Sequence, residues 1–158
     1  MDGFTKDPVR GIQVTMMLAD YVDASNGSLT IVNGGANVTG PNAPHSLAVL
    51  FVIPSHLADQ LHEFRLELID MDGNGVAVNA SGGEPLVAQG QFAVNRGEED
   101  AFVGRTFPCP VGINLGPLGL PPHQTYEWRL MVDGETHEDW RLVFHTIPPI
   151  QGQQRRAA

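Results

Sequence analysis

The segment Asp70-Met71-Asp72-Gly73-Asn74-Gly75 has residue types and a spacing that resemble a functional motif. Oxygen donors stand at its first, third and fifth positions and glycine at its sixth, as at the start of a calcium-binding loop. The twelfth position is Ser81, where such a loop needs a bidentate glutamate. Asp, Asn and Gly also tolerate the positive φ of tight turns. The segment is therefore compatible with a weak calcium site and with a hairpin turn.

Histidines are the second group of candidate metal ligands. The six positions are His45, His56, His62, His123, His137 and His145. Only His56 and His62 are close in sequence, and their spacing does not place two rings on one face of a helix. We expect solvated loop polarity around His137 and Glu138, with a metal site assembled across loops as the alternative.

No serine or cysteine stands in a setting that activates a nucleophile. Cys109, the single cysteine, lies between two prolines among apolar residues, which predicts a buried and unreactive thiol. Ser81 precedes Gly82-Gly83 but lacks the GxSxG context. Ser46 follows a histidine, yet a catalytic triad is defined by geometry and not by adjacency. Glu98-Glu99-Asp100 is typical of a charged loop and not of an acid/base pair of carboxylates. Because none of these candidates is convincing, we expect a protein that is not an enzyme.

Aromatic residues near the end of the chain could form a platform on which sugar rings stack. Tyr126 and Trp128 alternate in phase with Leu130 and Val132, which favours packing in the core for both. Trp140 falls at the end of its strand, and its exposure decides whether a sugar-binding surface exists.

The stretch Gln124–Ile147 predicts the architecture most directly. Apolar and polar residues alternate on both sides of Asp133-Gly134, which is the signature of two half-buried strands joined by a turn. Such a hairpin must lay its apolar face on a second sheet. The eighteen glycines and twelve prolines also favour many turns over long helices.

The same alternation, with Gly, Pro, Asn and Asp between runs, predicts the remaining elements. The predicted strands are Ile12–Tyr21, Ser28–Val32 with Ala36–Thr39 as its continuation beyond a bulge, Leu47–Ile53, Glu63–Asp70, Val76–Val78, Leu86–Val94, Phe107–Leu115 and the two of the final hairpin. The first two strands should pair as a hairpin around Asp23–Gly27. Leu47–Ile53 should be a central strand of its sheet, and prolines should interrupt Phe107–Leu115. One short helix is predicted near 55–61, with Ser55 as its N-cap.

We therefore expect an all-β fold, an antiparallel β-sandwich of about eight or nine strands. Length and composition fit a single domain over 1–158, with polar terminal extensions at 1–10 and 148–158.

The net charge of −9 argues against a nucleic-acid partner, since no basic stripe offsets it. The only basic cluster, Arg155-Arg156, is typical of a solubilising tail, with a phosphate or other anionic contact as the alternative. Neither a signal peptide nor a bilayer-spanning apolar run is evident, so we expect a cytoplasmic product, carried in a virion if a phage encodes it.

Several segments together resemble a family of small, uncharacterised all-β proteins from bacteria and their phages. These segments are MMLADYVDASNGSLTIVNGGANVTGP, HSLAVLFVIP, FRLELIDMDG, VGINLGPLGLPP and YEWRLMVDGETHEDWRLVF. They span most of the chain from Met16 to Phe144. The resemblance implies an immunoglobulin-like sandwich and carries over no catalytic or binding residue.

The function expected from these observations is a non-enzymatic structural or interaction module without cofactors, acting as a subunit of a larger protein assembly. A phage capsid accessory or decoration protein is the specific form we expect. The alternative is a ligand-binding module for calcium or carbohydrate, using Asp70, Asp72 and Asn74 or an exposed Trp140. A small hydrolase with a site built across loops rests on no positive signal.

Overall fold

Ten strands and two short 3-10 turns make up the described part of the chain. The computed structural model describes residues 9–97 and 104–149. Its strands are β1 Gln13–Ala19, β2 Tyr21–Asp23, β3 Thr30–Val32, β4 Val38–Thr39, β5 Ser46–Pro54, β6 His62–Asp70, β7 Val87–Phe92, β8 Thr106–Asn114, β9 Thr125–Val132 and β10 Arg141–Thr146. The 3-10 turns are Ser55–Leu57 and Asn79–Ser81. The all-β prediction is confirmed.

The strands form two larger sheets and a ribbon. One sheet has the order β1-β5-β8, the second has the order β4-β10-β9-β6-β7, and β2 pairs with β3 in the ribbon. As predicted, β5 is central in its sheet and β9 pairs with β10. Strand β4 runs parallel to β10, whereas the other pairs are antiparallel, so the expected antiparallel arrangement fails at that edge.

The inner faces of the two larger sheets contribute to one apolar core. Period-2 alternation places one side of each strand inward. The inward residues of β5 and β9 that are fully buried include Leu47, Val49, Phe51, Ile53, Trp128, Leu130 and Val132. Val9, inside the predicted N-terminal extension, belongs to the same core, as do Leu118 and Leu120 of the GPLGLPP connection.

The ribbon of β2 and β3 folds over the outer face of the three-stranded sheet. Val22 packs there against Ala19 and Ala48 in a small second core. Gly112 leaves room for this contact, because a Cβ on it would lie 2.9 Å from Val22 Cγ1. Small residues on the outer face therefore seat the ribbon.

Three local expectations differ from the structure. The predicted helix near 55–61 is a single 3-10 turn, and the Ser55 hydroxyl bonds to the Arg105 carbonyl instead of capping it. Strand β1 pairs with β5, and only Tyr21–Asp23 forms a hairpin with β3, because the chain bends at Asp20 out of the sheet. The predicted strand Val76–Val78 is not a strand: Ala77 forms an isolated β-bridge with Pro85, and Gly75, just before it, forms one with Ile69.

Strand β8 is continuous although prolines were expected to interrupt it. It lies at an edge of its sheet, where a residue without an N–H can turn its nitrogen away from the neighbouring strand. Pro108 and Pro110 are two residues apart, so both nitrogens face the same side of β8, the side away from β5.

Two predicted features, Glu98-Glu99-Asp100 and Arg155-Arg156, lie outside the described residues. Within residues 9–97 and 104–149, no helix is long and apolar enough to cross a membrane.

Candidate functional site

His45 is buried and joins the two larger sheets. The Trp128 Nε1–H donates a hydrogen bond of 2.9 Å to His45 Nε2. Burial lowers the pKa of His45 from 6.5 to about 4, which keeps the ring neutral. A neutral ring is what this bond needs, because Nε2 must carry a lone pair. The ring of Phe144 packs beside it, 5.1 Å away between centroids.

His62 is also buried, and both of its ring nitrogens are engaged. Nδ1 lies 2.7 Å from Asp133 Oδ2, and Nε2 lies 2.8 Å from the Leu57 carbonyl oxygen. Both partners are hydrogen-bond acceptors, and each lies within hydrogen-bond distance of one ring nitrogen. Phe92 stacks on the ring at 5.3 Å. His62 therefore ties β6 to the 3-10 turn and to the β9–β10 hairpin.

His45 and His62 were named as candidate ligands and not predicted to be buried, although a signal for burial was present. His45 alternates in phase with the inward residues Leu47 and Val49, and His62 alternates in phase with Phe64. Extending the period-2 pattern by one step at the start of each strand predicts both as inward.

The loop that resembles a calcium site uses its first carboxylate to close a turn. Asp70 Oδ1 accepts hydrogen bonds from the N–H groups of Asp72 and Asn74, each at 2.9 Å. Gly73 has a φ of 84°, as a tight turn requires. Ser81, at the twelfth position, bonds both main-chain groups of Val78. These contacts are those of a hairpin turn.

The candidate sugar-stacking residues are interior. Tyr126 and Trp128 are buried, which confirms their predicted core role. Trp140 is only 2% exposed and stacks on His137, with centroids 4.2 Å apart. The exposed Trp140 that the carbohydrate hypothesis needs is therefore not present.

The remaining candidates are dispersed. Burial raises the pKa of the half-buried Cys109 thiol, so it favours the protonated form. His56 and His123 are exposed, and the exposed His145 bonds Thr125 Oγ1 through Nδ1. Within the described ranges, no three His, Cys, Asp or Glu side chains lie close enough to share a metal ion.

A groove of about 560 Å³ lies between two loops. The loop at Val76–Gly83 forms one wall and the loop at Leu118–Pro121 forms the other. Its lining is mainly apolar, with the Asn79 amide and Tyr126 among its polar groups. Its volume falls within the usual range for small-ligand sites.

An apolar pair is exposed on the ribbon. Tyr21 and Val32 are directly opposite each other on β2 and β3, at 52% and 44% exposure. The alternate residues Val22 and Ile31 face inward onto the second core. Tyr21 and Val32 therefore form an exposed apolar pair on the outer face of the ribbon.

The Asn114 side chain holds this ribbon in place. Its Oδ1 accepts from the Val22 N–H at 3.0 Å, and its Nδ2 donates to the Val22 carbonyl at 2.9 Å. The amide thus pairs with the main chain as a neighbouring strand would. Nothing local in the sequence indicates this contact, which joins residues distant along the chain.

Residues 14–145 match a family of unknown function, DUF6941. The chain belongs to this family. The match runs from β1 to β10 and so includes both larger sheets and the ribbon. It confirms the expectation of an uncharacterised family. No curated protein matches the chain.

Proposed function

We propose that this member of the DUF6941 family is a non-enzymatic interaction module, a subunit of a larger protein assembly. Its fold is best understood as an immunoglobulin-like β-sandwich, since the two larger sheets share one core. A phage capsid accessory or decoration protein, carried in the virion, is the specific form that we propose.

The observation that carries the proposal is the exposed pair of Tyr21 and Val32. Exposed apolar side chains of this size are unfavourable in water. The free energy falls when a partner covers them and removes their surface from water. The ribbon that bears them is fixed from beneath by Val22 and Asn114, so the pair is presented in one orientation. We propose a protein partner for this surface.

The use of the groups that could do chemistry also supports the proposal. His45 and His62 hold the fold together through their ring nitrogens, and Asp70 closes a turn. A catalytic histidine needs a ring nitrogen directed at a substrate. Both ring nitrogens of His62, and Nε2 of His45, are already engaged within the fold.

The test compares two double variants of the full chain, expressed with a small affinity tag in its source. Tyr21→Ser with Val32→Ser removes the exposed pair. The matched control, Leu61→Ser with Met71→Ser, removes two side chains that are each 64% exposed and lie elsewhere. Size-exclusion chromatography with light scattering then reports the mass of the particle that holds each chain.

We expect the control to elute with the assembly and the ribbon variant to elute free. Equal elution of both variants in the assembly would overturn the assignment of the contact to the ribbon. A wild-type chain that elutes alone at 17.1 kDa would overturn the assembly itself.

A ligand-binding module is the second candidate, and the groove between the two loops favours it. The polar ligand contacts would come from Asn79 and Tyr126. A rise in melting temperature with a mono- or disaccharide at millimolar concentration, lost in Asn79→Ala, would support this candidate. An unchanged melting temperature would remove the carbohydrate version of it.

A further inference from the structure

Strand β1 lies at an edge of its sheet, and the main-chain groups on its outer side can be identified. The Leu18 carbonyl accepts from the Gly35 N–H at 2.8 Å, outside the ladder that joins β1 to β5. In an antiparallel pair, alternate residues direct both main-chain groups to the same side. Val14 and Met16 are in phase with Leu18, so their N–H and C=O groups point away from β5.

The prolines of β8 confirm this phase independently. Thr15, Leu50 and Pro110 are in register across the three strands. If Leu50 directs its main-chain groups to Thr15, it directs none to Pro110, which has no N–H to offer. The register that places proline without loss in β8 is the one that leaves Val14 and Met16 facing outward.

Local contacts bound the open stretch at both ends. The Ile12 N–H donates to the Val9 carbonyl at 3.1 Å, and Gly35 occupies the Leu18 carbonyl. Between them, no other residue in the described ranges hydrogen-bonds the outward main-chain groups of Val14 and Met16. Main-chain groups in an apolar setting need partners, so this short edge is suited to accept a strand.

The opposite edge of the same sheet is protected. Pro108 and Pro110 remove donors from it, and β2 with Asn114 lies against its end. In the other sheet, β4 is only two residues long, and β7 carries Gly90, which has no side chain to pack on an added strand. Strand β1, QVTMMLA, has neither proline nor a charged side chain.

We propose that β1 pairs in antiparallel fashion with β1 of a second copy of this chain, with the two-fold axis at Thr15. This inference rests on the proposed function and names one contact within the assembly. Val14 then lies opposite the partner's Met16, and Met16 lies opposite the partner's Val14. Each such pair exchanges two hydrogen bonds, so about four bonds satisfy the outward main-chain groups of Val14 and Met16 in both copies. The open stretch is thus complementary to itself.

The side chains agree with a second copy as the occupant. Exposed Thr15 meets the partner's Thr15, a favourable cross-strand pair. The half-buried Val14 and Met16 side chains gain cover at the rim of the core. The edge adds no charge of its own, whereas each chain carries −9 overall, so added salt should strengthen the pairing by screening repulsion.

The test measures the mass of the purified full chain against concentration by sedimentation or light scattering. Thr15→Lys places two like charges at the two-fold axis, and Thr30→Lys makes the same change at an exposed position on β3. Val14→Pro removes the outward N–H as the prolines of β8 do. Near-UV circular dichroism verifies that each variant keeps its core.

We expect wild type and Thr30→Lys to reach twice the chain mass with similar dissociation constants. Thr15→Lys and Val14→Pro should weaken association by at least about tenfold. A wild-type chain that stays monomeric, or equal constants for Thr15→Lys and Thr30→Lys, would overturn the pairing.

The outcome separates the pairing from the proposed function. If the purified chain is monomeric while chain from its source elutes in a large particle, the pairing fails and the assembly stands. If Thr15→Lys also frees the chain from that particle, the edge receives a strand of another protein. A dimer that Thr15→Lys dissociates, with no larger particle in the source, supports the pairing and contradicts the assembly.

Discussion

The Trp128 indole reaches across the core and donates its N–H to His45 Nε2 over 2.9 Å. Trp128 stands on β9 of one sheet, and His45 directly precedes β5 of the other. The bond therefore joins the two layers at a point from which water is excluded. Both side chains are almost fully buried. The bond therefore gives the indole N–H and the imidazole Nε2 the hydrogen-bond partner that each needs away from water.

Trp128→Ala should lower the free energy of unfolding by about 3–5 kcal/mol, because it leaves a large cavity and removes the donor to His45. Denaturant unfolding measures the change. Trp128→Phe keeps most of the volume and separates the two contributions. A near-neutral result for alanine would contradict the placement of this side chain in the core.

Stability should fall as the pH drops from 6.5 towards 4. The pKa of His45 is about 4 in the folded chain, against 6.5 for an unperturbed histidine, so between these values the unfolded state binds a proton that the folded state does not. Protonation of the unfolded state at this residue lowers the free energy of unfolding by on the order of 3 kcal/mol between pH 6.5 and pH 4. Above pH 6.5 this penalty is absent. His45→Gln retains an acceptor for Trp128 without titrating there. Subtracting its pH profile from that of wild type should isolate the slope, and identical profiles would refute this role.

Asp133→Ala should destabilise the protein by about 2–3 kcal/mol. The carboxylate holds His62 through Oδ2 and accepts from the Glu63 N–H through Oδ1 at 2.9 Å. Asp133 also has a φ of 51°, which disfavours alanine. Asp139→Ala, an exposed change in the same connection, serves as the control and should stay within about 0.5 kcal/mol. Equal midpoints in urea would contradict the linkage.

Gly112→Ala should displace the ribbon, since the new methyl group would lie 2.9 Å from Val22 Cγ1. We expect a cost of about 1–3 kcal/mol and faster amide exchange at Val22. Gly40→Ala is the control, because the nearest atom to its Cβ is 3.9 Å away. Unchanged exchange in Gly112→Ala would show that the ribbon is not seated on this glycine.

Calcium at millimolar concentration should leave the melting temperature unchanged. Asp70 Oδ1 already accepts two main-chain N–H groups, and Ser81 is bonded elsewhere. A ligand that binds only the folded state must raise the melting temperature. A rise that Asp72→Asn abolishes would restore the calcium alternative.

Alternation made much of the fold predictable. Strands β6 and β9 each have one buried and one solvated face, so the period of two is visible in residues such as Phe64 and Arg65. The ribbon was harder to predict, because Tyr21–Asp23 continues the apolar pattern of β1 and only the bend at Asp20 separates them. The parallel pairing of β4 with β10 joins residues far apart in sequence, which local patterns do not encode.

The candidate sites were less predictable than the strands. Leu118 and Leu120 enter the core from a segment whose glycines and prolines indicate only a loop. Ligand-type residues such as Asp70 have the same letters whether they bind an ion or cap a turn, and hydrogen bonds decide between these roles. The exposure of Tyr21 follows from which face of a short ribbon is covered, and tertiary packing alone sets that.

The proposed role as a subunit of a larger assembly is best tested by the mass of the native particle that contains this chain, measured by light scattering on material from its source. We expect a particle many times the 17.1 kDa of one chain, with a fixed ratio of this chain to its partners. A lone chain of that mass would contradict it.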